Sequence, residues 1–188
     1  MDASTKSNDA WQYILNFVID IARYYNVNQN CVRVAVIRYA DSADASIALN
    51  RFGDINSLVQ GIRSLTLIGG RSNLYTAFQV LRNQVFANNV VRPGATLVVG
   101  IVTNQLQCST QLTAEANYWL NSRSANILGI AVTSQVDTNC LRQIVSSSQY
   151  LVVPDYRLLS SIVSQAQPYI CPVVPPARKY VGVLPQEL

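Results

Sequence analysis

The chain has 188 residues, of which 49% are hydrophobic and 13% charged, so it can bury the core of one domain and is too apolar to be disordered. It contains no histidine, which removes the commonest general base and the commonest transition-metal ligand. The formal net charge is +4, but the basic residues are scattered, so we expect no nucleic-acid binding.

Helix-like and strand-like segments alternate along the chain. Apolar residues at helical spacing predict helices at residues 11–25, 54–65, 73–86, 112–120, 140–145 and 156–170, the last with Leu158, Leu159, Ile162, Val163 and Ala166 facing inward. Alternating or β-branched runs predict strands at residues 32–39, 45–49, 95–102, 126–132 and 150–153. Residues 45–49 follow a short turn, so we expect them to form an antiparallel hairpin with the strand before them.

The run at residues 95–102 is almost entirely apolar and reads as a strand buried on both faces. Strands that alternate with helices predict an α/β fold: a doubly wound, mostly parallel sheet with one antiparallel edge strand and helices on both faces. Ligands of such sheets bind at the carboxyl ends of the strands. Three polar loops, at residues 2–6, 69–73 and 103–105, should meet at that edge.

Four cysteines stand at positions 31, 108, 140 and 171 without a C-x-x-C pair, which argues against a zinc or redox site. An even number fits two disulfides in a secreted domain, and reduced buried thiols are the alternative. Cys31 and Cys171 should lie at the amino-terminal edge of the sheet, and Cys108 and Cys140 at the opposite edge. We therefore predict the pairs Cys31–Cys171 and Cys108–Cys140.

No apolar run reaches the length of a membrane span and no signal peptide is evident, so we expect no membrane insertion. A secreted protein would then need a signal outside these residues. Residues 172–176 have the composition of an extended linker, and residues 179–184 resemble a strand. We divide the chain into a domain at residues 1–171 and a proline-rich tail at residues 172–188.

The order of these segments resembles that of a von Willebrand factor type A domain. The resemblance rests on Asp-Ala-Ser-Thr at residues 2–5, the hairpin at residues 32–49, the segment Ile-Gly-Gly-Arg-Ser-Asn-Leu-Tyr-Thr-Ala at residues 68–77, and Val-Thr-Asn at residues 102–104. It implies a non-catalytic adhesion or extracellular-matrix module. Collagen-binding, byssal-thread and shell or biomineral matrix proteins are the branch that the chain resembles most.

The resemblance also implies a metal-ion-dependent adhesion site with a D-x-S-x-S motif, a threonine and a second aspartate. Here Asp2 and Ser4 match, Lys6 occupies the third position unless the loop shifts to present Ser7, and Ser72 and Asn104 replace the threonine and aspartate. One carboxylate is lost and one ammonium gained, which should weaken Mg²⁺, Ca²⁺ or Mn²⁺ binding sharply. We expect a degenerate site and no required cofactor, although Lys6 pointing into solvent is the alternative to an ammonium inside the site.

Family members begin with a buried central strand that ends at the aspartate motif, whereas this sequence reaches the motif at Asp2. Residues outside this sequence, another chain or residues 179–184 could supply that strand, so self-association is one expectation.

Three functions remain open. The first is a secreted matrix module that binds collagen or an acidic matrix polymer. The second is a metal-dependent adhesion receptor. The third, a nucleotide-binding enzyme, depends on Gly69–Ser72 as a phosphate loop, and this segment lacks the spacing of the known phosphate-binding motifs.

Overall fold

The computed structural model describes residues 1–28, 30–87 and 92–170. Its strands are β1 (Val36–Tyr39), β2 (Ala43–Ile47), β3 (Val98–Thr103), β4 (Asn126–Val132) and β5 (Tyr150–Val153). Its helices are α1 (Asn8–Arg23), α2 (Ile55–Arg63), α3 (Leu74–Val80), α4 (Thr110–Asn117), α5 (Thr138–Ile144) and α6 (Val163–Ile170).

The strands form two hydrogen-bonded groups. β1 and β2 are an antiparallel hairpin, and β3, β4 and β5 are parallel in that order. Between the two groups, Asp2 forms an isolated parallel bridge with Tyr39 of β1, and its N–H donates to the Val102 carbonyl of β3 at 2.9 Å. The predicted α/β class with an antiparallel edge strand is therefore confirmed.

Helices cover both faces of the sheet. One core layer joins Trp11 of α1, Leu58 of α2 and Ala166 of α6 to the β4 residues Leu128 and Ile130. The opposite layer joins α3, α4 and α5 to the alternate β4 residues, through Phe78, Ala116, Leu141, Ile127 and Ala131. Consecutive β4 side chains thus enter opposite layers, as they must in a strand buried on both faces.

Short polar side chains fix where the helices begin. Ser7, Asp54, Ser109 and Asp137 each accept a backbone N–H in the first turn of α1, α2, α4 and α5. Such caps satisfy N–H groups that have no partner inside the helix. α3 and α4 each end in a π-helical turn, at Leu81–Val85 and Tyr118–Ser122, so the helices reach close to the predicted ends.

The first half of the central strand differs from the prediction. β3 begins at Val98, and Val98 and Val99 are only half-buried while Gly100 is exposed. The strand expected at residues 32–39 is also shorter, with only Val36–Tyr39 in regular pairing. Both segments line a cavity between β1 and β3, so neither has a paired neighbour there among the described residues.

In the last helical segment, the predicted burial of one residue is wrong. Residues Tyr156–Ile162 form a 3₁₀ helix before α6 begins. Leu159 and Ile162 are buried, whereas Leu158, predicted to face inward, is 44% exposed. A 3₁₀ helix has three residues per turn, which aligns positions 159 and 162 and turns position 158 to solvent.

The predicted Cys108–Cys140 disulfide is present and joins the loop before α4 to the first turn of α5. Cys171 lies outside the described residues, so its predicted pairing with the exposed Cys31 stays a prediction, as does the tail at residues 172–188. In the described part of the chain, no helix combines the length and apolar character that crossing a membrane requires.

Candidate functional site

Residues 1–3 bring the first polar loop to the carboxyl end of the sheet. The Ala3 N–H donates to the Tyr39 carbonyl at 2.8 Å, next to the bond between Asp2 and Val102. The Ala3 carbonyl in turn accepts the N–H of Gly69 at 2.9 Å. The chain start therefore fixes the position of the glycine loop relative to β1 and β3.

The carboxylate of Asp2 is the centre of the site and is fully buried. One oxygen accepts the N–H and the hydroxyl of Ser4 at 3.0 and 2.7 Å. The other accepts the hydroxyl of Ser72 at 2.7 Å and the N–H of Asn104 at 3.2 Å. It also lies 3.3 Å from the hydroxyl of Thr103, which shares its proton with the Gln105 carbonyl at 2.8 Å. Five donors from three loops therefore surround one buried charge, which ties those loops together.

The glycine loop presents Ser72 through an unusual backbone. Gly69 and Gly70 have φ values of +77° and +95°, a region that residues with a side chain rarely adopt. A Cβ at Gly70 would also clash with the Asp41 carboxylate. Arg71 pairs with that carboxylate at 3.1 Å, and this contact lowers the pKa of Asp41.

Asn104 is engaged away from Asp2 through its side chain. Its amide nitrogen donates to the hydroxyl of Tyr156 at 2.7 Å, and burial raises the pKa of this phenol. The backbone carbonyl of Asn104 accepts the hydroxyl of Thr133 at 3.3 Å. Thr133 has a φ of +76°, a strained conformation for a β-branched residue, and such residues cluster at functional sites.

Above these residues is a cleft of about 500 Å³, which we call the carboxyl-edge cleft. Its lining is polar and includes two basic side chains, Lys6 and Arg71, both exposed to solvent. None of the described residues that line it is acidic. The Asp2 carboxylate is buried and does not line the cleft. The lining residues are Ser4, Thr5, Lys6, Gly70, Arg71, Asn104, Gln105, Thr133, Ser134, Gln135 and Tyr156.

The structure brings together four of the sequence-predicted metal ligands, namely Asp2, Ser4, Ser72 and Asn104. Ser7 does not move into the third motif position, because its hydroxyl caps α1 by accepting the Ala10 N–H at 3.3 Å. Lys6 remains at that position and lines the cleft.

This set of groups does not fit a tightly bound divalent ion. Its one carboxylate, that of Asp2, is already surrounded by five donor groups, and the Asn104 amide nitrogen donates to Tyr156. Within the described ranges, no group of three or more His, Cys, Asp or Glu side chains could hold a metal. A dication needs anionic oxygen ligands to offset its dehydration.

Sequence reasoning missed Tyr156 and Thr133. Both follow the carboxyl ends of strands, Tyr156 after β5 and Thr133 directly after β4. The same rule that selected Asn104 therefore applied to them. No motif singled them out, and their bonds to Asn104 depend on the tertiary arrangement.

Comparisons with known proteins agree on one family. A family model described as the von Willebrand factor type A domain matches residues 1–165. The von Willebrand factor A domain-containing protein 2 of Xenopus laevis is 21% identical over 174 residues, which make up 91% of this chain and 22% of that protein. The chain therefore spans about a fifth of the length of that relative.

Solved structures share the fold. Proximal thread matrix protein 1 from the mussel byssus has a TM-score of 0.83 at 17% identity, over 91% of this chain and 46% of that one. A second structure of that protein is described as having a zinc-occupied MIDAS motif. Manganese-loaded TRAP protein of Plasmodium vivax has a TM-score of 0.72 at 14% identity, over 90% of this chain and 70% of that one. At these identities the likeness establishes the fold alone.

Proposed function

Because this chain belongs to the von Willebrand factor type A family, we propose that it is a non-catalytic extracellular-matrix or adhesion module that binds another protein through the carboxyl-edge cleft. The partner presents acidic groups, either on collagen or on an acidic matrix polymer. The protein is secreted and works in the matrix outside the cell.

The charge of the cleft carries this proposal. Lys6 and Arg71 are exposed at the cleft, whereas the Asp2 carboxylate is buried and surrounded by donors. Asp41 offsets part of the charge of Arg71, so Lys6 is the stronger attraction for an anion. An acidic ligand can thus bind directly to protein cations, without a metal ion between it and the site.

A divalent ion would bind here only weakly and would not be required. The hydroxyls of Ser4 and Ser72 keep lone pairs that could face a cation, but both donate their protons to Asp2. No second carboxylate lines the cleft among the described residues to replace the water that a dication loses. A carboxylate of the ligand would therefore form its ionic contact with the ammonium of Lys6, and not with a metal ion at this position.

A matrix role draws further support from the similar proteins. The thread matrix protein of the mussel byssus shares the fold over 91% of this chain, and its name describes a matrix protein. The Cys108–Cys140 disulfide is also typical of proteins that function in oxidising surroundings.

The test is binding of the purified chain to immobilised collagen and to poly-aspartate, with EDTA and then with millimolar Mg²⁺. We expect similar affinity in both conditions and a loss of about tenfold on Lys6→Gln, which corresponds to ~1.4 kcal/mol. Arg23→Gln is the matched control, since it removes one exposed charge from the far end of α1. Binding that EDTA abolishes would instead support the metal-dependent receptor, and equal losses in both variants would reject the cleft as the site.

A further inference from the structure

The phenol of Tyr156 lines the carboxyl-edge cleft and is half-buried. Tyr156 is the first residue of the 3₁₀ helix that follows β5. The side chain of Asp155 caps this helix by accepting the Arg157 N–H at 2.8 Å. The cap fixes where the helix begins, and with it the place of Tyr156 at the cleft.

The hydroxyl of Tyr156 receives two hydrogen bonds. The Asn104 amide donates to it at 2.7 Å. Burial raises the pKa of the phenol, and hydrogen bonds with Asn104 and Thr5 partly offset this rise. A bond that lowers the pKa of a phenol stabilises its anionic oxygen, so both side chains act as donors toward it. The Thr5 oxygen itself accepts the Ser7 N–H at 3.4 Å, which leaves its proton for Tyr156.

The proton of the Tyr156 hydroxyl is not used in this arrangement. In the described part of the chain, no hydrogen bond has the phenol as its donor. A phenol can donate one hydrogen bond while it accepts others, so its O–H points away from the two groups that donate to it. No acidic side chain among the described residues of the cleft could accept this proton. The acceptor must therefore come from a ligand or from solvent.

We propose that Tyr156 donates its phenol O–H to the same ligand carboxylate that the ammonium of Lys6 binds, and that Asn104 positions the phenol for this bond. This inference rests on the function proposed above, in which the cleft binds an acidic partner. It assigns one contact to each carboxylate oxygen: one faces the ammonium, and the other accepts from the phenol.

Lys6 and Tyr156 are close enough to share one carboxylate. The side chain of Thr5 bonds to Tyr156, and Lys6 is the next residue, about 3.8 Å away between Cα atoms. The Lys6 side chain is exposed and has a flexible four-carbon stem, so its ammonium can reach an anion that is bound at the phenol. Both side chains line the same cleft.

The two contacts contribute differently to recognition. The ammonium of Lys6 attracts any anion, and dissolved salt screens this attraction. The phenol of Tyr156 is neutral and directional, so it selects an anion whose second oxygen reaches the O–H. Hydrogen bonds to charged groups are also stronger than those between neutral groups. Lys6 therefore supplies attraction, and Tyr156 supplies selectivity.

Asn104 acts through Tyr156 and is a positioning residue. Its side-chain amide donates to the phenol at 2.7 Å, and its backbone N–H donates to Asp2 at 3.2 Å. Replacement by alanine removes the first bond and keeps the second. Asn104→Ala thus releases the phenol without removing the N–H that bonds to the buried carboxylate.

Binding of the full chain to poly-aspartate in EDTA, measured over a range of salt concentrations, tests the proposal. We expect Tyr156→Phe to weaken binding about tenfold at every salt concentration, because it removes a hydrogen bond to a charged group and no charge. Lys6→Gln should weaken binding and also reduce its salt dependence. Tyr24→Phe is the matched control and should leave the affinity unchanged, since Tyr24 follows the far end of α1 and is 51% exposed.

A double-mutant cycle tests the role of Asn104. Asn104→Ala should weaken binding severalfold while Tyr156 is present and should cause no further loss when combined with Tyr156→Phe. Losses that add in the double variant would reject positioning through the phenol. The same series on immobilised collagen identifies the source of the carboxylate: parallel losses assign it to collagen side chains, and losses confined to poly-aspartate assign it to an acidic polymer.

The outcomes separate this inference from the function on which it rests. If Lys6→Gln weakens binding and Tyr156→Phe does not, the donor role of Tyr156 is rejected and the cleft remains the binding site. If neither variant weakens binding, the proposed function itself is rejected. If Tyr156→Phe reduces the salt dependence as Lys6→Gln does, the variant has distorted the cleft and displaced the ammonium, and the direct contact is rejected.

Discussion

The hydroxyl of Ser72 donates to the carboxylate of Asp2 at 2.7 Å, although 70 residues separate the two positions. This bond joins the glycine loop to the chain start, and four further donor groups, from Ser4, Thr103 and Asn104, complete the shell around the same buried charge. The hydrogen-bonded carboxylate of Asp2 therefore stabilises the three loops that form the site, in addition to the binding role proposed for the cleft.

Asp2→Asn should destabilise the fold by about 3 kcal/mol, because the new amide replaces two acceptor oxygens by one and sets an NH₂ group against hydroxyl and N–H donors. Urea denaturation measures the free energy of unfolding. Asp9→Asn is the control, since Asp9 is an exposed residue in the first turn of α1 and should cost about 0.5 kcal/mol. Equal losses in the two variants would contradict the central role of Asp2.

Divalent-ion binding should improve when the family's charges are restored. The double variant Lys6→Ser with Asn104→Asp removes an ammonium and adds a carboxylate at the cleft, so Mg²⁺ and Mn²⁺ should bind at least tenfold more tightly, or ~1.4 kcal/mol. Calorimetry makes the comparison, and the single variant Lys6→Ser controls for the loss of the ammonium alone. Micromolar Mg²⁺ affinity in the unmodified chain would refute the degenerate site.

Gly129→Ala should destabilise the protein by about 2 kcal/mol, because an added Cβ would lie 2.7 Å from Leu141 and 2.9 Å from Val145, where α5 packs on β4. Gly100→Ala is the matched control in the neighbouring strand, where the added Cβ meets no atom within 4 Å. Thermal or urea unfolding should show less than about 0.5 kcal/mol change for this variant. A larger loss at position 100 than at 129 would contradict the packing described for β4.

Stability should rise with pH between 6 and 8 in a protein that starts at Met1. Burial lowers the pKa of the Met1 amine from 8.0 to about 6, and the charge of Asp2 opposes this shift only in part. The unfolded chain then binds more protons than the folded one in this interval, so the unfolding free energy gains up to ~2.7 kcal/mol as pH rises through it. Urea denaturation from pH 5.5 to 8.5 measures the slope.

An acetylated N-terminus provides the control for this pH dependence. Acetylation removes the titrating amine while keeping an N–H that can bond to the Ile37 carbonyl. The slope between pH 6 and 8 should therefore disappear. An unchanged slope in the acetylated chain would assign the effect to other groups.

Sequence patterns identified the helices, the strands and the edge at which the site lies, because burial periodicity and the carboxyl-end rule are local or topological properties. They overestimated β3 as buried over its whole length, since residues 98–100 line the cavity between β1 and β3 and no local pattern encodes that cavity. They placed Asp2 beside Ser72 and Asn104 without foreseeing that Tyr156 would hold the amide of Asn104. That bond joins the ends of β3 and β5, and no spacing in the sequence encodes it.

The two core layers on either side of the sheet each contain one of the two tryptophans. Trp11 lies in the α1 layer and donates its indole N–H to the Leu65 carbonyl at 2.8 Å. Trp119 lies in the opposite layer, where its ring centroid is 5.1 Å from that of Phe86. Both side chains are almost fully buried. Intrinsic fluorescence thus reports the two sides separately: with Trp119→Phe the emission follows only the α1 side, and with Trp11→Phe only the other, so a spectroscopist can observe whether the halves melt together without attaching a dye.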